Sequence, residues 1–131
     1  MLNSTCSATR LALAIVVSLG LSGCASTTVS VTVVEQQGSV TGTGSLDASR
    51  NSGTMRVSFS TKTYEGPWTA VRTSGGGPNN ASGIGMANLI AADGDHLRCE
   101  FRYSMLGITH VTGIGVCRDS GGHIYDMQLA N

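Results

Sequence analysis

Ile84-Gly85-Met86-Ala87-Asn88-Leu89-Ile90-Ala91-Ala92-Asp93-Gly94-Asp95-His96-Leu97-Arg98-Cys99-Glu100-Phe101-Arg102-Tyr103 is the stretch that decides the fold. Asp-Gly between two alternating runs is a strong short-range signal for a hairpin. Read as a two-residue type I′ turn, Asp93-Gly94 sets Ala92 opposite Asp95. Ile90 then faces Leu97, Met86 faces Phe101 and Ile84 faces Tyr103. This register gathers the large apolar groups of both strands on one face. Arg98, Glu100 and Arg102 fall on the other, opposite small residues such as Ala87 and Gly85. A slip of one residue exchanges the two faces, so the pattern specifies the register strongly.

How Leu97–Tyr103 pairs onward depends on Cys99, and the use of the cysteines is read from the start of the sequence. Met1–Arg10 carries one cation, Arg10, and no acid; Leu11–Leu21 is an unbroken run of apolar and small residues. That is the n-region and h-region of a signal peptide. The run falls short of the ~20 apolar residues that a membrane-spanning helix needs. Leu21-Ser22-Gly23-Cys24 follows, and it resembles the lipobox of bacterial lipoproteins: an aliphatic residue, two small residues, then the cysteine that is acylated. The resemblance implies that residues 1–23 are removed as a lipoprotein signal peptide. Cys24 then becomes the lipidated N-terminus, carrying palmitate or a similar chain, and residues 24–131 form a single β domain. Each buried methylene contributes ~0.8 kcal/mol, so one acyl chain holds a protein only marginally. Lipoproteins of this type carry two or three. Ala25 and Ser26 stand where the enterobacterial sorting pattern places an aspartate for inner-membrane retention. The expected location is therefore the outer membrane, on its periplasmic face.

Cys6 leaves with the signal peptide and Cys24 takes the lipid. Cys99 and Cys117 remain, in a compartment that permits disulfides. A two-thiolate metal site would need His or Cys partners at ligand spacing, and none is near. We therefore expect a Cys99–Cys117 disulfide. Direct cross-strand pairing of the two centres the next turn on Ile108, with Phe101 opposite Gly115 and Tyr103 opposite Gly113. Rings lying over strand glycines protect weak positions in a sheet. A three-residue loop at Ser120-Gly121-Gly122 then sets Tyr125 opposite Cys117 and Met127 opposite Gly115. Ser82–Leu129 thus reads as a four-strand antiparallel meander stapled at its centre.

Upstream, Thr27–Val34 alternates Val29, Val31 and Val33 with polar partners, and its β-branched residues disfavour a helix. Residues 35–53 are polar and rich in Gly and Ser, which predicts a flexible or weakly stranded segment with a strand around Ser39–Leu46. Thr54–Ser60 alternates as a half-buried strand. Tyr64-Glu65-Gly66-Pro67-Trp68 reads as a turn into a strand at Trp68–Thr73, and Ser74–Asn80 as a loop. No segment has helical periodicity. The prediction is an all-β domain, a small antiparallel barrel or sandwich; glycines inside the strands favour the barrel. The run Gly83-x-Gly85, Asp93-Gly94, Leu97-x-Cys99-x-Phe101, Gly113-x-Gly115-x-Cys117, Gly122 and Tyr125 is similar to that of small uncharacterised exported proteins of proteobacteria. That resemblance implies the fold and no activity.

Removing Arg10 leaves seven Arg and Lys against eight Asp and Glu, a net charge of −1 with neutral histidines. Nucleic-acid binding needs a clustered basic face, which this balance does not supply. Asp93-Gly94-Asp95-His96 is the densest polar cluster, and it reads as a hairpin tip flanked by solvated side chains. Calcium loops need further oxygens at alternate positions, and none follow. His96 and His110 fall at opposite ends of the meander; His96 and His123 can share one end, a weak metal-site reading. Gly83-x-Gly85-x-x-Asn88 lacks the helix and third glycine of a dinucleotide site. Gly42-Thr43-Gly44-Ser45 lacks a phosphate-binding lysine and the form of a nucleophile elbow. No catalytic, cofactor or metal residues emerge, and a non-enzymatic protein without a cofactor is expected. Tyr64 and Trp68 read as core residues before they read as a sugar or peptide platform.

The leading expectation is a lipid-anchored envelope protein that works through contacts with another envelope protein. Its contact surface would be a sheet edge or the Arg98/Glu100/Arg102 face. One alternative is a barrel that carries a small apolar ligand. Another is a lysozyme-inhibitor-like lipoprotein, since membrane-bound lysozyme inhibitors are also small disulfide-bonded lipoprotein barrels. Their Ser-Gly-x-x-Tyr hallmark is only approximated by Ser120, Gly121 and Tyr125, and the companion Lys-Gly is absent.

Overall fold

A computed structural model of the chain describes residues 28–47, 51–77, 80–106 and 110–131. The expected signal peptide (residues 1–23) and lipidation site Cys24 lie outside the described residues, as do Ile108 and residues 78–79. Eight strands follow one another: β1 Thr28–Glu35, β2 Thr41–Asp47, β3 Ser52–Ser58, β4 Thr63–Gly77, β5 Asn80–Ala91, β6 His96–Leu106, β7 His110–Asp119 and β8 Ile124–Ala130. Each pairs antiparallel with the next, and β1 pairs with β8 to close a barrel. The meander expected over Ser82–Leu129 thus extends around the whole molecule. Among the described strands closure leaves none at a sheet edge, so the edge surface considered from sequence is not found there.

Alternation sets the inside. Val29, Val31 and Val33 of β1, Met55 and Val57 of β3, Leu97, Cys99 and Phe101 of β6, and Tyr125, Met127 and Leu129 of β8 are all buried. The Cys99–Cys117 disulfide joins directly opposed residues of β6 and β7, and both cysteines are fully buried. Phe101 faces Gly115, Tyr103 faces Gly113, and across β7–β8 Cys117 faces Tyr125 and Gly115 faces Met127, as expected. Tyr64 and Trp68 are core residues.

Three expectations are corrected. The first concerns the opening hairpin. Gly94 N donates to Ala91 O at 3.0 Å and Ala91 N to Asp95 O at 2.8 Å, so the loop has three residues, Ala92-Asp93-Gly94. Gly94 has φ +86°, a left-handed conformation that suits the glycine of a three-residue hairpin loop. The Asp93 carboxylate holds the turn by accepting from Asp95 N at 3.0 Å. The register therefore moves by one: Gly83 faces Tyr103, Gly85 faces Phe101, Ala87 faces Cys99 and Leu89 faces Leu97. Ile84, Met86 and Ile90 turn outward, opposite Arg102, Glu100 and His96. Space is the reason. A Cβ on Gly85 would collide with the Phe101 ring, so the strand beside the aromatics must be the one with glycine and alanine inside.

The second correction is that Tyr64-Glu65-Gly66-Pro67-Trp68 makes no turn. It runs extended within β4, with Gly66 opposite Met55 and Pro67 opposite Thr54. Gly66 lets β5 approach so closely that a Cβ there would strike the Asn88 carbonyl. Third, the loop read at Ser74–Asn80 is shorter, because β4 continues to Gly77 and β5 begins at Asn80. The weak strand expected within residues 35–53 is present as β2, where Gly42 leaves room for Phe59.

Candidate interaction surface

The two ends of the barrel differ. At the end carrying the loops 92–94 and 120–122, Phe59 packs between Tyr64 and Tyr125, with ring centroids 5.7 and 5.4 Å away. Above these rings Asp95 acts as a hub. Its carboxylate accepts from Tyr64 Oη at 2.7 Å, from Lys62 Nζ at 2.9 Å and from Ser120 N at 3.2 Å. Lys62 also reaches Asp93 at 2.8 Å. Beside it Asp119 accepts from Tyr125 Oη at 2.9 Å and from His123 N at 2.9 Å.

Chemically, this arrangement is a clamp between hairpins. The sequence reading left Asp95 in solvent and passed over Lys62, the chain's one lysine. Its placement beside the 92–94 loop depends on barrel curvature that a strand-by-strand reading does not contain. His96 and His123 do share this end, with His110 at the other. Among the described residues no three His, Cys, Asp or Glu side chains form a metal-sized cluster. Ser120 and Gly121 occupy the β7–β8 tip, while Tyr125 is turned into the core.

The clamp predicts two limbs in stability against pH. Hydrogen bonds from Tyr64, then Lys62 and Ser120, hold the Asp95 carboxyl far below the usual carboxylate range; Lys62 and the turn hold Asp93 lower too. As pH falls below about 4 the unfolded chain takes up protons that native Asp95 refuses, so stability drops with acid. Burial, then the bond to Asp119, pushes the Tyr125 phenol up to about 12, and burial with Asp95 raises Tyr64 as well. Above about pH 10 the unfolded tyrosines lose protons that the native ones keep, so stability also drops with alkali. Melting temperatures across pH test this. Asp95→Asn should lower the melting temperature at pH 7, with the gap to the parent closing in acid. An unchanged gap at pH 3 would refute the assignment.

The outer wall of β5–β8 has a different character. Its register lines up Met86, Glu100, Val116 and Asp126 in one row, and Ile84, Arg102, Ile114 and Gln128 in the next. Ile84 is 47% exposed, Met86 51%, Ile114 69% and Val116 44%. Val71 of β4, directly opposite Ile84, extends the lower row and is 69% exposed. A third row pairs Arg98 with Arg118, a like-charge opposition that sheets ordinarily avoid, and Arg98 Nε donates to Asn88 Oδ1 at 3.1 Å. The sequence reading placed the Arg98/Glu100/Arg102 face outside, and it is outside. Its neighbours, however, are large aliphatics rather than Gly85 and Ala87. The error in register hid the apolar half of the surface. Scattered exposed aliphatics are ordinary, but contiguous ones rimmed by charge mark contact surfaces.

The barrel's interior offers little room. At the other end Asn51 and apolar and aromatic residues including Leu46, Trp68, Phe101, Tyr103 and Leu129 line a cavity of about 40 Å³. Small-molecule sites run to several hundred Å³. Compared with protein-family models, curated proteins and solved structures, this chain matches none.

Proposed function

We propose that this protein is a lipid-anchored, non-catalytic component of the bacterial cell envelope, and that it works by docking another envelope protein on the outer wall of β5–β7. The contiguous patch of Ile84, Met86, Ile114 and Val116 around Glu100 and Arg102 carries the reading. The anchor rests on the lipobox resemblance at Leu21-Ser22-Gly23-Cys24. The rigid wall suits recognition because its rows are fixed by backbone pairing and the disulfide beneath. Carriage of an apolar ligand inside the barrel is disfavoured by the small cavity.

In-cell photocrosslinking from position 114, in the full-length chain, is the test. One discrete protein adduct is expected. Val116→Glu places a charge in the centre of the patch and should cut adduct yield by tenfold or more, the effect of losing a contact worth about 2 kcal/mol. Cys24→Ala should abolish the adduct by releasing the protein from the membrane. A folded, lipidated protein that gives no discrete adduct would overturn the docking reading.

A further inference from the structure

We infer that the barrel stands upright on its own membrane, with the mouth formed by Leu46, Trp68, Tyr103, Met105 and Leu129 turned toward the lipid. This deepens the proposed function and rests on acylation of Cys24. The first observation is the length of the tether. β1 begins at Thr28, four residues after Cys24, so the connecting chain reaches at most about 14 Å. Thr28 belongs to the mouth end: its neighbour Val29 pairs with Leu46, and Ser30 pairs with Ala130 beside Leu129. The opposite end is well beyond that reach in an upright barrel. β6 alone has 11 residues, ~35 Å along the strand, or ~27 Å along the axis at a typical tilt.

The second observation is independent of the anchor. The two ends differ along the axis. The far end holds the charged clamp of Lys62, Asp93, Asp95, Asp119 and His123. The mouth end is lined mainly by apolar groups, with Asn51 among them, and β4–β5 and β6–β7 run on past it to Gly77, Asn80, Leu106 and His110. Leu106 is 65% exposed there. Trp68 is buried just inside the mouth and lines its cavity. The surface this end fits is the headgroup and upper acyl region of the bilayer that already holds the lipid. Burial of Leu106 there adds to the anchor and helps set the height and orientation at which the β5–β7 wall is presented.

Tryptophan quenching by lipids brominated in the acyl chain tests the orientation. The full-length protein is expressed with processing intact, then reconstituted in phosphatidylethanolamine–phosphatidylglycerol vesicles containing such lipids. Trp68 is the only tryptophan, so the unaltered protein already reports from the mouth. Leu106→Trp adds a reporter at the projecting hairpin, and Ala92→Trp adds one at the far tip. The added emission at position 106 should fall at least about twofold, and the added emission at 92 should not change. Bound protein quenched equally at both positions lies on its side, and protein quenched at 92 alone is inverted; either result overturns the orientation. Failure of the anchor itself is read separately, as the absence of acyl mass on Cys24 and loss of vesicle flotation, and it removes the proposal with it.

Discussion

Replacing Cys99 and Cys117 together by alanine should lower the melting temperature by more than 10 °C. The disulfide joins residues 18 apart in sequence, and closing a loop of that size removes about 3 kcal/mol of unfolded-state entropy in the chain-entropy model. For a domain of roughly this size, each kcal/mol moves the melting point by about 4–8 °C. Packing adds to the loss. Both cysteines are fully buried, with Cys117 Sγ 3.8 Å from Met127 Sδ, and alanine leaves space at the centre of the wall. The same burial predicts that reductant alone leaves the native bond intact, whereas reductant with denaturant breaks it. Thermal melts and thiol counts check both. A double variant that melts within 3 °C of the parent would show that the barrel does not depend on the bridge.

Phe101→Ala should be comparably damaging, at about 3–5 kcal/mol, the usual cost of emptying a buried aromatic position. Phe101 lies in the wall of the core between two glycines, Gly85 on β5 and Gly115 on β7, and each is glycine because this residue occupies the space. The two glycines should nevertheless respond differently. The atoms nearest a Cβ on Gly85 are those at the far end of the Phe101 ring, so Gly85→Ala should cost about 1–3 kcal/mol and be partly rescued by Phe101→Leu. A Cβ on Gly115 also meets the Glu100 carbonyl and the Phe101 backbone, which a smaller side chain does not move. Gly115→Ala should therefore resist rescue. Denaturant titrations of the four single variants and two doubles give the coupling energies directly. Equal rescue at both sites would contradict the packing described.

The residues show why β6–β8 were legible in the sequence and β4–β5 were less so. In β6 and β8 the large apolar groups sit mainly at one parity, and for β7, which puts Val111 and Cys117 inside but Ile114 and Val116 outside, the cysteine and glycine pairings supply the register. β5 carries apolar side chains at both parities: Ala81, Ala87, Leu89 and Ala91 at one, Ile84, Met86 and Ile90 at the other. Side-chain size favoured the second set, whereas the space left beside Phe101 and Tyr103 admits only the first. Pattern reading counts apolar groups on each strand; it does not see the volume the neighbouring strand has already filled. Gly66-Pro67 misled for a related reason. A local turn signal was overridden by pairing to β3 and close approach to β5. The Asp95 clamp joins residues some thirty apart in sequence, and the chain carries no local pattern that announces it.

The seam between β1 and β8 has a consequence for how the molecule is made. Every other strand pair joins neighbours in the chain and forms as soon as a short hairpin is available. β1, the first strand, lacks its second partner until β8 is delivered. A chain that emerges from its N-terminus therefore passes through an open sheet, with Val29, Val31 and Val33 at one margin, a template for pairing with other chains. The oxidised β6–β7 hairpin forms locally and early, giving β8 a fixed margin on which to arrive. Folding is thus most vulnerable in the interval before the last strand emerges, and the β1 margin is where other chains would pair.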